Sequence, residues 1–297
     1  MAQSLVINVT GAATGFGALT ARALAKRGHI VYAGLRSATP QFTRSIEDFR
    51  AEHGVDLRPL EQDMLSDASV NKSVQDMLAE AGRVDAIVHN CGHLVLGPAE
   101  AFTPQQLAEQ YDINVLSTQR LNRAVLPHMR ERRNGLLVWV SSSSVHGAVP
   151  PFIAPYFASK AGMDALAASY QLELSRWGIE NTIMVPGAYS RGTNHFADSS
   201  RPVDAAVVDA YAGERAPYHG VEESLGAAYA AFEPEDADSA DVAEKIADVV
   251  DMRHGTRPGR VHVDPAEDGS ELVSGVRERL RKDRMKLAGH GDLFMVQ

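Results

Sequence analysis

The stretch "LVINVTGAATGFGALTARALAKRG", residues 5–28, decides the fold. It opens on a short apolar run, Leu5 to Val9, as a strand buried on both faces would. It closes on "ALTARALAKRG" (18–28), which has helical spacing and a glycine stop at Gly28. Between them Gly11, Gly15 and Gly17 follow a G-x-x-x-G-x-G spacing, unlike the G-x-G-x-x-G of the longer dinucleotide-binding enzymes. Glycine permits positive φ in a tight turn and lets backbone approach a phosphate with no Cβ in the way. The helix that follows offers free N–H groups and the positive end of its dipole. Three glycines alone say little. Set between a strand and a helix, they predict a dinucleotide site rather than an empty turn.

Working outward, apolar runs alternate with helical patterns. Strands are expected at 29–35, 56–63, 84–92, 135–142, 179–187 and 260–264. Helices are expected at 41–53, 67–82, 104–133, 155–178, 203–212, 221–232 and 239–253. This order predicts an α/β chain with a doubly wound, Rossmann-type parallel sheet. The whole of 1–297 reads as one domain, with a helical substrate lid over about 188–238 and a basic helix and tail over about 271–297. The net charge of -9 argues against a nucleic-acid surface, and the basic run "ERLRKDRMK" reads as a solvated helix face. Cys91 is the one cysteine, which excludes an internal disulfide and a thiolate metal cage. No long apolar span and no signal-peptide pattern are visible, so a cytoplasmic protein without a membrane partner is expected.

Three further features carry chemistry. At the end of the second strand Leu35 stands where a ribose-binding acid would select NAD, and Arg36 follows. A guanidinium suits a 2′-phosphate, so NADP(H) is the expected cofactor, with NAD(H) as the alternative. Tyr156 and Lys160 lie at i and i+4 on one helix face, where an ammonium lowers a phenol's pKa towards general acid/base work. Upstream, "VWVSSSSVHG" (138–147) ends a strand in four serines.

Taken together, "TGAATGFG" (10–17), Asp63, "HNCG" (89–92), Asn114, the serine strand, "YFASK" (156–160) and "PG" (186–187) resemble the short-chain dehydrogenase/reductase family, one-domain branch. The likeness runs over about residues 4–190 and is similar in tenor to the retinol- and hydroxysteroid-dehydrogenase-like members. It implies that Tyr156 is the acid/base and that Lys160 lowers its pKa and holds the nicotinamide ribose. Asn114 would hold a relay water, and a serine would polarise the substrate oxygen. It also implies cofactor contacts from Gly11, Thr14, Gly15, Phe16, Gly17, Arg36, Asp63, Met64, Asn90, Gly92, Tyr156, Lys160, Pro186, Gly187 and Ser190, with Thr193 as a second candidate for the carboxamide. His89 and Cys91 depart from the usual N-N-A-G, and "PGAYSRGT" carries its threonine late. Counting from the strand selects Ser142; counting back from Tyr156 selects Ser143; an S-x-x-G pattern would select Ser144.

The expected activity is therefore reversible hydride transfer between nicotinamide and an alcohol or carbonyl of a fairly apolar small molecule. Catalysis would rest on Asn114, Ser142, Tyr156 and Lys160. His146, Phe152, Tyr189, His195, Phe196, Tyr211 and Tyr218 are candidates to line the substrate pocket. No metal site is expected, since nothing gives His195 with Asp198 or Asp204 a third ligand. A cofactor-sensing regulator would usually have lost the Tyr or the Lys. An epimerase or dehydratase would need a larger C-terminal domain. Many members of the family assemble through the helices corresponding to 104–133 and 155–178, which implies a homodimer or homotetramer.

Overall fold

Alternating apolar runs become strands because a parallel sheet, covered on both faces, must be apolar on both. In the computed structural model, which describes residues 4–147, 149–193 and 196–296, seven strands are found among those residues. They are β1 (Val6–Val9), β2 (Ile30–Leu35), β3 (Leu57–Glu61), β4 (Ala86–His89), β5 (Gly135–Val140), β6 (Ile179–Pro186) and β7 (Arg260–Val263). All pair in parallel, in the order β3-β2-β1-β4-β5-β6-β7. The chain reverses direction across the sheet between β1 and β4, and the crevice outside the strand ends at that switch point is where such sheets bind ligands.

The helices are α1 (Gly15–Lys26), α2 (Pro40–His53), α3 (Asp67–Ala81), α4 (Pro104–Tyr111), α5 (Ser117–Arg132), α6 (Ala154–Glu173), α7 (Ala205–Ala212), α8 (Val221–Phe232), α9 (Ala240–Asp251) and α10 (Ser270–Leu287). Two apolar clusters sandwich the sheet. One joins Val9, Leu24, Ala33 and Met184 to Ile246 and Val250 of α9. The other joins Val74, Leu121, Trp139 and Ile183 to Met163 and Ala167 of α6. Each such fully buried aliphatic side chain contributes roughly 1.5–3 kcal/mol, so both layers hold the sheet firmly beneath its loops.

Two expectations need correction. The helix expected over 104–133 is broken by a wide π turn at Asp112–Leu116, between α4 and α5. The serine strand ends at Val140, so all four serines lie beyond it. The segment expected to act as a lid contains α7 and α8, and neither has a buried residue among those described. This segment is tied down instead by a parallel bridge between Val95 and Ser200, by Tyr211 donating to Glu100 at 2.7 Å, and by Gln106 donating to the Arg201 carbonyl at 3.1 Å. Among the described residues no helix is long and apolar enough to cross a membrane.

Candidate active site

The glycine turn leaves β1 and enters α1 with Gly11 and Gly15 at φ of 64° and 55°. A Cβ on Gly17 would stand 2.3 Å from the Gly11 carbonyl oxygen, so the turn closes only on glycine. A Cβ on Gly15 would meet nothing nearer than Thr193, at 3.9 Å, and would fill the space above the helix end. Thr14 caps α1 without a side-chain bond, and no acid lies in the first turn. The first amides of α1 are therefore left to an anion. Asn90 pins the turn from β4, donating from Nδ2 to the carbonyls of Thr10 (2.9 Å) and Gly11 (3.2 Å). A dinucleotide pyrophosphate fits this cradle.

Arg36 is exposed just past β2, and among the described residues it has no hydrogen bond or ion pair. Its charge nevertheless reaches Cys91 and His93. Asp63 is half-buried and Met64 buried after β3; Asp63 Oδ1 accepts the Leu65 amide at 3.1 Å. Gly92 has Asn114 Oδ1 and Lys160 Nζ as neighbours, 3.0 and 3.7 Å from where a Cβ would be. Gly187, after Pro186, donates its amide to the Val263 carbonyl at 2.9 Å, and a Cβ there would strike Asp264. Cys91 is a half-buried thiol pushed up to about 11 by desolvation, and so is inert.

The four serines part ways. Ser141 donates to Asp164 Oδ2 at 2.8 Å. The Ser142 and Tyr156 hydroxyls share a hydrogen bond. Ser143 is bonded to Asp268. Ser144 donates to Ser142 Oγ at 2.8 Å. Of the three candidates, Ser142 is the one whose hydroxyl meets Tyr156, because the strand stops at Val140 and the chain turns into a short helical turn at Ser143–Val145.

Around that pair, Lys160 Nζ donates to the Val140 carbonyl at 2.9 Å and lies 5.9 Å over the Tyr156 ring. Burial pulls the Lys160 ammonium down to about 8. Burial also pushes the Tyr156 phenol up to about 12, against the lowering effect of Ser142. Asn114 sits in the π turn, and its amide grips the His93 backbone on both sides, at 2.8 Å to the N–H and 3.0 Å to the carbonyl. Its Nδ2 also donates to Ser159 Oγ at 2.8 Å.

Not all expected residues face the site. Ser190 gives both its amide (2.8 Å) and its hydroxyl to Glu233. Thr193 donates weakly to the Tyr189 carbonyl at 3.4 Å and lies against Gly15. Tyr189 packs edge-on to Phe16 at 5.5 Å, in the core cluster that also holds Ala12 of the glycine turn. His146 turns towards α10, bonding Ser274 at 2.8 Å. Phe152 meets Tyr218, which stacks on Tyr211, while Phe196 is exposed. His195 lies outside the described residues. An apolar wall of Leu94, Val95, Phe102 and Ile153 adjoins Tyr156. Sequence reasoning missed Glu233 and Asp164. Asp164 had a signal, the continued i, i+4 spacing from Tyr156 and Lys160; Glu233 had none, being far along the chain from Ser190.

A parallel sheet with a glycine cradle at its switch point and, beside it, a half-buried Ser142 against buried Tyr156 and Lys160 defines a nucleotide-dependent oxidoreductase. A family model described as short chain dehydrogenase matches residues 5–202, and the chain belongs to that family. It is 30% identical over 191 residues to a 3-ketodihydrosphingosine reductase of Bacteroides thetaiotaomicron, covering 64% of this chain and 66% of that one. A short chain dehydrogenase of Pseudocercospora fijiensis is 28% identical over 293 residues, 96% of this chain and 89% of that one. The crystal structure of a short-chain dehydrogenase from Streptomyces avermitilis superposes with a TM-score of 0.73 at 26% identity, covering 97% of this chain and 99% of that one.

Proposed function

We propose that this chain is an NADP(H)-dependent alcohol dehydrogenase or carbonyl reductase acting on a fairly apolar small molecule. The observation that carries this reading is the hydrogen bond between the Ser142 and Tyr156 hydroxyls, with the Lys160 ammonium behind the tyrosine ring. Two hydroxyls that meet each other can both turn to one substrate oxygen. When bound, the nicotinamide supplies or accepts the hydride. The glycine turn of Gly11, Thr14, Gly15, Phe16 and Gly17 holds the pyrophosphate. Arg36 meets the 2′-phosphate, Asp63 and Met64 border the adenine, and Asn90, Gly92, Pro186 and Gly187 border the nicotinamide side.

In the reducing direction the substrate carbonyl oxygen accepts hydrogen bonds from Ser142 and Tyr156. As hydride reaches the carbon, negative charge grows on that oxygen, and the fixed hydroxyl dipoles stabilise it. The Tyr156 proton then moves to the oxygen, giving the alcohol. Lys160 and Asn114 return a proton to the phenolate from solvent. The apolar wall beside Tyr156 and the lid of α7 and α8 support an apolar substrate.

Tyr156→Phe tests the reading. It keeps the ring and removes the proton, so NADPH-dependent reduction of a ketone or aldehyde found by panel screening should fall by about 10²–10⁴-fold. Cofactor binding, read by NADPH fluorescence, should persist. A variant that retains most of its rate would refute Tyr156 as proton donor.

A further inference from the structure

Helix α6 carries Tyr156, Lys160 and Asp164 at four-residue spacing, so all three project from one face. The chain leaving β5 runs alongside, and three consecutive residues each meet one of them. Val140 accepts from Lys160 at 2.9 Å, Ser141 donates to Asp164 at 2.8 Å, and Ser142 bonds Tyr156. Asp164 is the rung furthest from the reacting centre, and it is wholly buried, at 0% exposure.

A buried carboxylate must be paired to be tolerated. Arg260 of β7 clamps Asp164 with two bonds of 2.8 Å, one to each oxygen. Arg277 of α10 approaches Oδ1 at 3.8 Å, and Glu278 of α10 approaches Arg260 Nε at 3.9 Å. His146, bonded to Ser274 and Arg277, also lies in the carboxylate's field, as does His262 of β7. Apolar residues of the same volume would often be as stable as such an ion pair. What they could not provide is an acceptor for Ser141 at a fixed place beside Ser142.

We propose that Asp164 is a positioning residue: through Ser141 it sets the end of β5 so that the Ser142 hydroxyl meets Tyr156, and its charge acts on Lys160 one turn away. This rests on Tyr156 being the proton donor. Asp164 itself touches no reacting atom. Lys160 is faced by Cys91 from the end of β4 and by Asp164 and Tyr156 from its own helix. Asp164 raises the Lys160 pKa, so removing the carboxylate lets the ammonium lose its proton at lower pH. The unpaired Arg260 adds to that effect.

Two variants test the two parts. Ser141→Ala leaves the Asp164–Arg260 pair intact and removes only the rung. Its kcat should fall about tenfold or more while the NADPH dissociation constant stays within about twofold and the pH limb stays in place. Asp164→Asn keeps an acceptor for Ser141 but removes the charge. The alkaline limb of its reduction rate should move measurably to lower pH. Full kcat in Ser141→Ala overturns the positioning role, and an unmoved limb in a folded Asp164→Asn overturns the electrostatic one. If Asp164→Asn does not fold, Ser141→Ala still decides the positioning role. Tyr156→Phe is run alongside: if it stays active the reading of the donor fails, whereas loss in Tyr156→Phe with full kcat in Ser141→Ala fails this inference alone.

Discussion

His89 shows how one residue can depart from a family pattern and be kept by its surroundings. Its ring lies 4.5 Å from Trp139, and Nε2 is 2.9 Å from Asn122 Oδ1, an acceptor that places the ring proton on Nε2. Among the described residues Nδ1 and Asn122 Nδ2 have no partner, and none offers an acceptor for a second ring proton. Burial pulls its pKa from 6.5 down to about 4. The sign follows from linkage. Between about 6.5 and about 4 the unfolded chain binds a proton that the native state does not. Stability is therefore lost as pH falls through that window, by roughly 3 kcal/mol in all. His89→Asn removes the titration. Urea unfolding at pH 7 and pH 4.5 should show the wild type losing about 2–3 kcal/mol more than this variant; parallel losses would count against it. None of this was legible from "HNCG", where the histidine reads only as an odd neighbour of Asn90. What fixes it is Trp139 from β5 and Asn122 from α5, both distant in sequence.

Elements differ in how they are held, and so in how they were read. The strands and α1, α3 and α6 were legible because each buries a periodic apolar face. The break between α4 and α5 was not, because 104–133 keeps helical spacing throughout and a π turn costs no apolar position. Yet that turn carries Asn114 to the His93 backbone. The lid is the other case. Its helices were expected roughly where they lie, but among the described residues α7 and α8 have no fully buried side chain, and they are held by ring contacts of Tyr211 and Phe152 with Tyr218 and by polar ties such as Arg201 with Glu222. Segments with little buried apolar contact open at low free energy. Hydrogen exchange of the free protein should show α7 and α8 amides exchanging about 100-fold or more faster than those of β4, β5 and β6. Glu233→Ala, which frees the Ser190 amide, should speed the adjoining loop as well. Equal protection across lid and sheet would mean that the lid is packed by contacts the polar ties do not describe.

Across the whole molecule, the glycine turn, Arg36 and the Ser–Tyr–Lys group come from residues 11 to 160, and the sheet order brings them to one edge. The order of elements made that assembly legible. The choice among Ser142, Ser143 and Ser144 was less so, because the length of the loop between β5 and α6 is not fixed by the sequence, and counting from the strand and counting back from Tyr156 therefore disagree. Cofactor choice tests whether the assembled site works as a unit. Arg36 stands exposed without a hydrogen bond or ion pair among the described residues, and Leu35 beside it offers no carboxylate to a ribose. A ligand that binds only the native state stabilises it by RT ln(1 + [L]/Kd). A tenfold tighter Kd adds about 1.4 kcal/mol at saturating ligand, or roughly 3 °C in melting temperature for a chain of this size. NADPH should therefore raise the melting temperature by a few degrees more than NADH at equal concentration. Arg36→Gln should close that gap by lowering the NADPH shift, leaving the NADH shift and the ligand-free melting temperature within about 1 °C, because an exposed, unpaired side chain contributes little to folding. A larger shift with NADH in the wild type would reverse the cofactor assignment. An undiminished NADPH advantage in Arg36→Gln would move 2′-phosphate recognition to another residue.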